Sequence, residues 1–159
     1  MKIHKLIRGC TQYPVGTNIM ANMLVINRMG KILREFIDKN YPDASYINLI
    51  CRGSSGAIIA GLVSVILKKD KGKNVCIYHI KKDGESAHGS GLLDNGILDP
   101  TSIIVVIDDF IDTGLTIVSI VEKLKEAGYV RHIPILCVTG SMNLDSGIRR
   151  KFVHAIISQ

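Results

Sequence analysis

The sequence predicts an α/β fold: a mainly parallel central sheet flanked by helices, with a small N-terminal helical segment. Three observations predict it. Short apolar runs rich in β-branched residues recur along the chain, and helical stretches lie between them. The runs are apolar throughout instead of alternating, as expected of strands buried on both faces.

The first 45 residues stand apart. Residues 18–39 carry Ile19, Met23, Ile26, Ile32, Leu33, Phe36 and Ile37 at roughly helical spacing, and Asn40, Tyr41, Pro42 and Asp43 break the pattern. The expectation is a helix packed on the core. A first core strand follows at 46–51 (YINLIC), then a helix over 55–68 and a strand over 74–80 (NVCIYHI). A third strand is expected at 103–107 (IIVVI), followed by a helix over 116–127 that Gly128 closes. Strands at 133–138 (IPILCV) and 152–157 (FVHAII) complete the set. Strand, helix and strand in this order predict right-handed crossovers within one domain spanning 1–159.

Composition narrows the function. Hydrophobic residues make up 47% and charged residues 21%, too apolar for a disordered chain. No apolar run reaches the ~18 residues of a membrane span. The opening Met1 to Leu6 lacks the apolar stretch of a signal peptide, so a cytoplasmic protein is expected. Cys10, Cys51, Cys76 and Cys137 form no CxxC pair, which fits buried thiols in a reducing compartment and gives no zinc site. The net charge of +6 comes without a long basic block, and aromatics are 5%. No nucleic-acid partner is expected, and the positive excess suits a small polyanion.

Ligands of open parallel sheets collect beyond the carboxyl ends of strands, where helix N-termini offer N–H groups. Two strand-to-helix turns carry unusual residues. In residues 104–116 (IVVIDDFIDTGLT) an apolar strand ends in Asp108 and Asp109, followed by Asp112, Thr113, Gly114, Leu115 and Thr116 at the start of a helix. Adjacent carboxylates at a strand end are costly unless solvated, paired or bound, and ribose hydroxyls or a divalent cation are their natural partners. The Thr-Gly-x-Thr turn supplies N–H groups and hydroxyls suited to a phosphate monoester. An acid-rich helix cap would account for Asp112 or Thr113 but not for the adjacent pair. The second turn is Arg52, Gly53, Ser54 and Ser55, which offers close backbone approach, hydroxyls and a fixed positive charge. A Gly-rich polar stretch at 81–101 (KKDGESAHGSGLLDNGILDPT) has the length and composition of a lid. His79, His132 and His154 read as structural histidines.

The segment VIDDFIDTGLT closely resembles the signature of type I phosphoribosyltransferases, which bind 5-phosphoribosyl pyrophosphate (PRPP). The resemblance implies that Asp108 and Asp109 bind the ribose hydroxyls with Mg²⁺ nearby, directly or through water, and that Asp112 to Thr116 wrap the 5-phosphate. It implies a pyrophosphate loop at Arg52, Gly53, Ser54 and Ser55, with Lys81 joining from the lid. Residues 1–45 then stand as a hood-like segment and 46–159 as the PRPP-binding core. PRPP and a base are the implied partners, in a homodimer that meets neither nucleic acid nor membrane.

The implied activity is transfer of the phosphoribosyl group from PRPP to a nucleobase, with catalytic roles for Asp112, Lys82 and His88. Asp112 is similar to the acid that 6-oxopurine enzymes place beside the purine N7. Lys81 and Lys82 followed by His88 and Gly89 resemble the loop of orotate enzymes, although Ser86 stands where a further Lys is expected. The better-matched motif favours a 6-oxopurine over orotate. The alternative is a PRPP-binding regulatory protein of the same fold without turnover. A PRPP-making pyrophosphokinase has two repeated halves, and no repeat occurs in this chain.

Overall fold

In the computed structural model, residues 3–8, 23–68, 73–80, 102–111, 114–126, 128–129 and 133–140 are described. Side-chain surroundings are described for 26–68, 73–80, 102–108, 114–126 and 128–129. The elements in chain order are β1 (Ile3–Arg8), α1 (Met23–Asn40), β2 (Tyr46–Cys51), α2 (Gly53–Lys68), β3 (Asn74–His79), β4 (Ile103–Ile111), α3 (Leu115–Glu126) and β5 (Ile133–Gly140). The strands form one sheet in the order β1-β5-β4-β2-β3, and every pairing is parallel.

That order contains a reversal. The chain steps from β2 outward to β3, and after β4 it steps the other way to β5. Neighbours β2 and β4 therefore flank a switch point, the place where an open α/β sheet forms its binding crevice.

Strand alternation divides the core. Ile47, Leu49 and Cys51 of β2 and Ile103, Val105 and Ile107 of β4 pack in one cluster with Ile26, Met29, Leu33 and Ile37 of α1 and Ile59, Ala60, Val63 and Leu67 of α2. By the two-residue period, Asn48, Ile50, Ile104, Val106 and Asp108 turn to the other face. All five are buried, and α3 lies against β4 with Ile117, Ile120, Val121 and Leu124 buried. Burial on both faces is why these strands read as continuous apolar runs.

Helix ends follow local chemistry. Past the end of α3, the Gly128 N–H donates to the Lys125 carbonyl at 3.0 Å and the Tyr129 N–H to the Leu124 carbonyl at 2.9 Å. This is the paired C-terminal motif in which glycine takes a positive φ, here 90°. Helix α1 runs past its expected end by one residue, and the Tyr41 N–H closes it on the Ile37 carbonyl at 2.7 Å. Helices α1 and α2 touch closely at Gly30, where an added Cβ would lie 2.7 Å from Ile66 Cγ2.

Three expectations change. The N-terminal segment is not helical alone, because Ile3–Arg8 adds a strand to the sheet edge against β5. Strand β4 does not stop before the carboxylates but runs on to Ile111, since β5 continues to pair with it through Phe110↔Thr139 and Ile111↔Gly140. Helix α2 begins two residues before the expected 55, at Gly53. The strand expected at 152–157 lies outside the described residues. No helix among the described residues is long and apolar enough to cross a membrane.

Candidate functional site

The two unusual turns end neighbouring strands. Pairing of β2 with β4 stops at Ile50↔Val106, whereas β4 continues on its β5 side. From Asp108 onward the β2-facing edge of β4 therefore looks toward the turn that leads from Cys51 into α2. Gly56, in the first turn of α2, sits close against this end of the sheet. A Cβ there would stand 3.3 Å from Cys51 Cβ and 3.3 Å from the Ile107 carbonyl oxygen, so even a methyl would need its neighbours to give by a few tenths of an ångström.

Asp108 is 6% exposed. Its charge reaches the buried Cys51 thiol, whose pKa is pushed up to about 11 by burial first and by Asp108 second. The thiol also donates to the Tyr78 carbonyl at 3.6 Å. A thiol held protonated in this way is a poor nucleophile, and Cys51 packs in the core cluster with α1 and α2.

Both turns use the same backbone device. Gly53 has φ 78° and Gly114 φ 81°, and each stands at the entry to a helix. In that conformation an L side chain meets the backbone, so glycine is required. The Gly114 carbonyl accepts from Val118 N–H at 2.9 Å and starts α3. Leu115 and Thr116 of its first turn are exposed, as are Ser54 and Ser55 of α2. Two helix N-termini thus open at one end of the sheet, where N–H groups without a helical partner and the helix dipole favour negative charge.

Arg52 ties its turn to α3. Its Nη1 donates to Ser119 Oγ of α3 at 2.5 Å. On the other side of the turn, the Gly53 N–H donates to His79 Nε2 of β3 at 3.1 Å. The sequence reading missed both partners. Ser119 is 67 residues from Arg52 and His79 is 26 from Gly53, so only the strand order brings them together.

Among the expected site residues, the structure brings together Arg52, Gly53, Ser54, Ser55, Asp108, Gly114, Leu115 and Thr116 at the ends of β2 and β4. The Asp109 backbone lies in β4. The Asp109 side chain, Lys81, Lys82, His88, Asp112 and Thr113 lie outside the described residues. Among the described residues no group of three or more His, Cys, Asp or Glu could enclose a metal ion. Mg²⁺ in nucleotide chemistry takes one or two carboxylates and fills its shell with water and substrate oxygens. A buried carboxylate at an open strand edge fits that demand.

No family model matches the sequence, and no curated protein matches it. Solved structures do. Adenine phosphoribosyltransferase from Saccharomyces cerevisiae superposes with a TM-score of 0.62 at 16% identity, over 89% of this chain and 82% of that one. Orotate phosphoribosyltransferase from Aeropyrum pernix gives 0.58 at 16% identity, over 87% and 72%. A purine phosphoribosyltransferase from Pyrococcus horikoshii gives 0.51 at 23% identity, over 77% and 76%. Shared topology at such low identity is a likeness of fold, and with its paired glycine turns at the switch point the chain has the type I phosphoribosyltransferase fold.

Proposed function

We propose that the chain is an enzyme that transfers the 5-phosphoribosyl group from PRPP to a nucleobase and releases pyrophosphate, with a 6-oxopurine favoured over orotate as acceptor. The observation that carries this reading is that the two glycine turns follow the adjacent strands β2 and β4, with the buried Asp108 carboxylate on β4 near the same end. One turn suits a phosphate monoester and the other a diphosphate, and a single ligand carrying both, joined by a ribose, spans such a pair. The proposal keeps the homodimer that the sequence resemblance implies and the cytoplasmic location expected from the sequence.

In this reading the α3 N-terminus, from Asp112 to Thr116, cradles the 5-phosphate, and Asp108 and Asp109 orient the ribose hydroxyls. The α2 turn, with Arg52, Gly53, Ser54 and Ser55, receives the diphosphate, and Lys81 adds charge from the lid. Asp108 and Asp109 would hold Mg²⁺, directly or through water, and the ion supplies neutralisation of the diphosphate charge. Reaction breaks the bond between the ribose anomeric carbon and the diphosphate oxygen, which keeps the electron pair. A ring nitrogen of the base donates its lone pair to the same carbon. Positive charge on the sugar in between makes water exclusion and fixed positioning the main work of the site. Lys82 and His88 on the lid would close over the leaving group. Asp112 would accept the proton that a 6-oxopurine loses at N7.

Turnover of PRPP by wild type and Asp112→Asn, with hypoxanthine, guanine, xanthine, uracil and orotate, tests the reading. General-base loss should lower kcat on the purine by about 10²–10⁴-fold. Orotate arrives as an anion and needs no base at that place, so full activity on orotate in the variant would reassign the acceptor. Tight PRPP binding by the wild type with no turnover of any base would overturn the enzyme in favour of a PRPP-binding regulator.

A further inference from the structure

We infer that His79 is a positioning residue for the diphosphate turn: its Nε2 accepts the Gly53 N–H and fixes the direction of the backbone at the start of α2. The inference rests on the proposed reading of residues 52–55 and adds to it a residue from a strand outside both phosphate turns.

The first N–H groups of a helix have no partner within it, and a bound anion can satisfy them. Gly53 is the first residue of α2, and its N–H is already directed at His79 Nε2 at 3.1 Å. His79 is the last residue of β3 and stands in register with Cys51, the last residue of β2. The donor and the acceptor therefore belong to the ends of two adjacent strands, held by the ladder beneath them. Gly53 sits at φ 78°, a region in which glycine moves with little steric resistance. A turn built on such a residue is weakly held by its own sterics, and a bond from outside helps to select one peptide orientation.

The selected orientation has a consequence for the ligand. With the Gly53 N–H committed to β3, the N–H groups of Ser54 and Ser55 come next in the first turn to meet an anion. The Arg52–Ser119 bond braces the other side of the turn from α3. The turn is thus tied to β3 by His79 and to the second phosphate turn's own helix by Arg52. An accepting Nε2 also sets the ring chemistry, since the proton of the neutral imidazole must then lie on Nδ1.

The test separates this bond from general packing. Calorimetry would measure affinities for inorganic pyrophosphate with Mg²⁺ and for ribose 5-phosphate, which occupies the β4–α3 turn alone. The proteins are wild type, His79→Leu, His79→Asn and His79→Gln. Gln brings an amide oxygen to the place of Nε2, whereas Asn ends near the place of Nδ1. Loss of one hydrogen bond predicts about three- to tenfold weaker pyrophosphate binding in the Leu and Asn variants. Ribose 5-phosphate binding should be unchanged in both, and Gln should restore pyrophosphate binding to within about twofold. Unchanged pyrophosphate affinity in Leu and Asn would overturn the inference. So would a parallel loss of ribose 5-phosphate binding in both, which means a structural role, or a Gln variant as weak as Asn. A wild type that binds ribose 5-phosphate but not pyrophosphate would remove the diphosphate reading of 52–55, and this inference with it.

Discussion

Asp108 and Cys51 are neighbours on adjacent strands, and their chemistry is coupled. The ordinary Cys value is 9.0, and the folded protein holds the Cys51 proton to about 11. Between those values the unfolded chain has lost a proton that the folded chain keeps, so stability falls as pH rises through that window. Below pH 9 the contribution is fully present. Denaturant titrations from pH 8 to 11 should show this decline, and Cys51→Ala should make it shallower, with the raised Tyr41 and Tyr78 hydroxyls leaving a residual slope above pH 10. A variant with the same alkaline slope as wild type would mean another group is responsible. Iodoacetamide at pH 8 should label the exposed Cys76 well before Cys51, which peptide mass mapping would read. Asp108 was legible in the sequence, because an acid that ends an apolar run has few structural explanations. Ser119 and His79 were not. A serine inside a helix and a histidine inside a strand look ordinary, and nothing local marks them as partners of a turn elsewhere in the chain.

At the scale of elements, the two glycine turns and the α1–α2 contact make separate demands. Gly114→Ala places a side chain at φ 81°. The strain of one non-glycine residue in that region costs about 1–2 kcal/mol, so the variant should melt lower and bind ribose 5-phosphate more weakly. Equal melting temperature and affinity would mean that the turn does not need its positive φ. Gly30→Ala gains about 1 kcal/mol of helix propensity but sets a methyl 2.7 Å from Ile66 Cγ2 and 3.0 Å from its Cβ, and overpacking of this kind costs about 1–3 kcal/mol. Net destabilisation is expected by chemical denaturation, and the cost should vanish or reverse in an Ile66→Ala background. Additive effects of the two substitutions would show that the helices separate to accommodate the methyl. The helices and buried strands were legible because their apolar periods are long and their ends carry marked residues such as Gly128. Strand β1 was not, because Ile3–Arg8 mixes His4, Lys5 and Arg8 among its apolar residues. Only its pairing with β5, about 130 residues on in sequence, identifies it, and charged residues are common on an edge strand.

For the whole molecule, the strand order does what neither turn does alone. The Arg52 turn and the Asp108 turn belong to β2 and β4, which are separated in sequence by all of β3 but adjacent in the sheet. The sequence supplied the two turns and the class of sheet that would hold them. It could not supply the tie from Arg52 to α3 or from Gly53 to β3, which are properties of the assembled order. The choice of acceptor rests on Asp112 and the lid, where a few side chains decide and the fold is common to adenine, other purine and orotate enzymes. The proposed function requires the crevice beyond the carboxyl ends of β2 and β4 to bind PRPP through the carboxylates of β4. Calorimetric titration with PRPP, with and without Mg²⁺, of the wild type and of the Asp108→Asn, Asp109→Asn double variant checks the claim. Saturable, Mg²⁺-dependent binding by the wild type is expected. The double variant should lose that binding while staying folded, because it removes negative charge at and beside the buried Asp108 and creates none. A wild type that does not bind PRPP, or a folded double variant that binds it equally well, would contradict the claim.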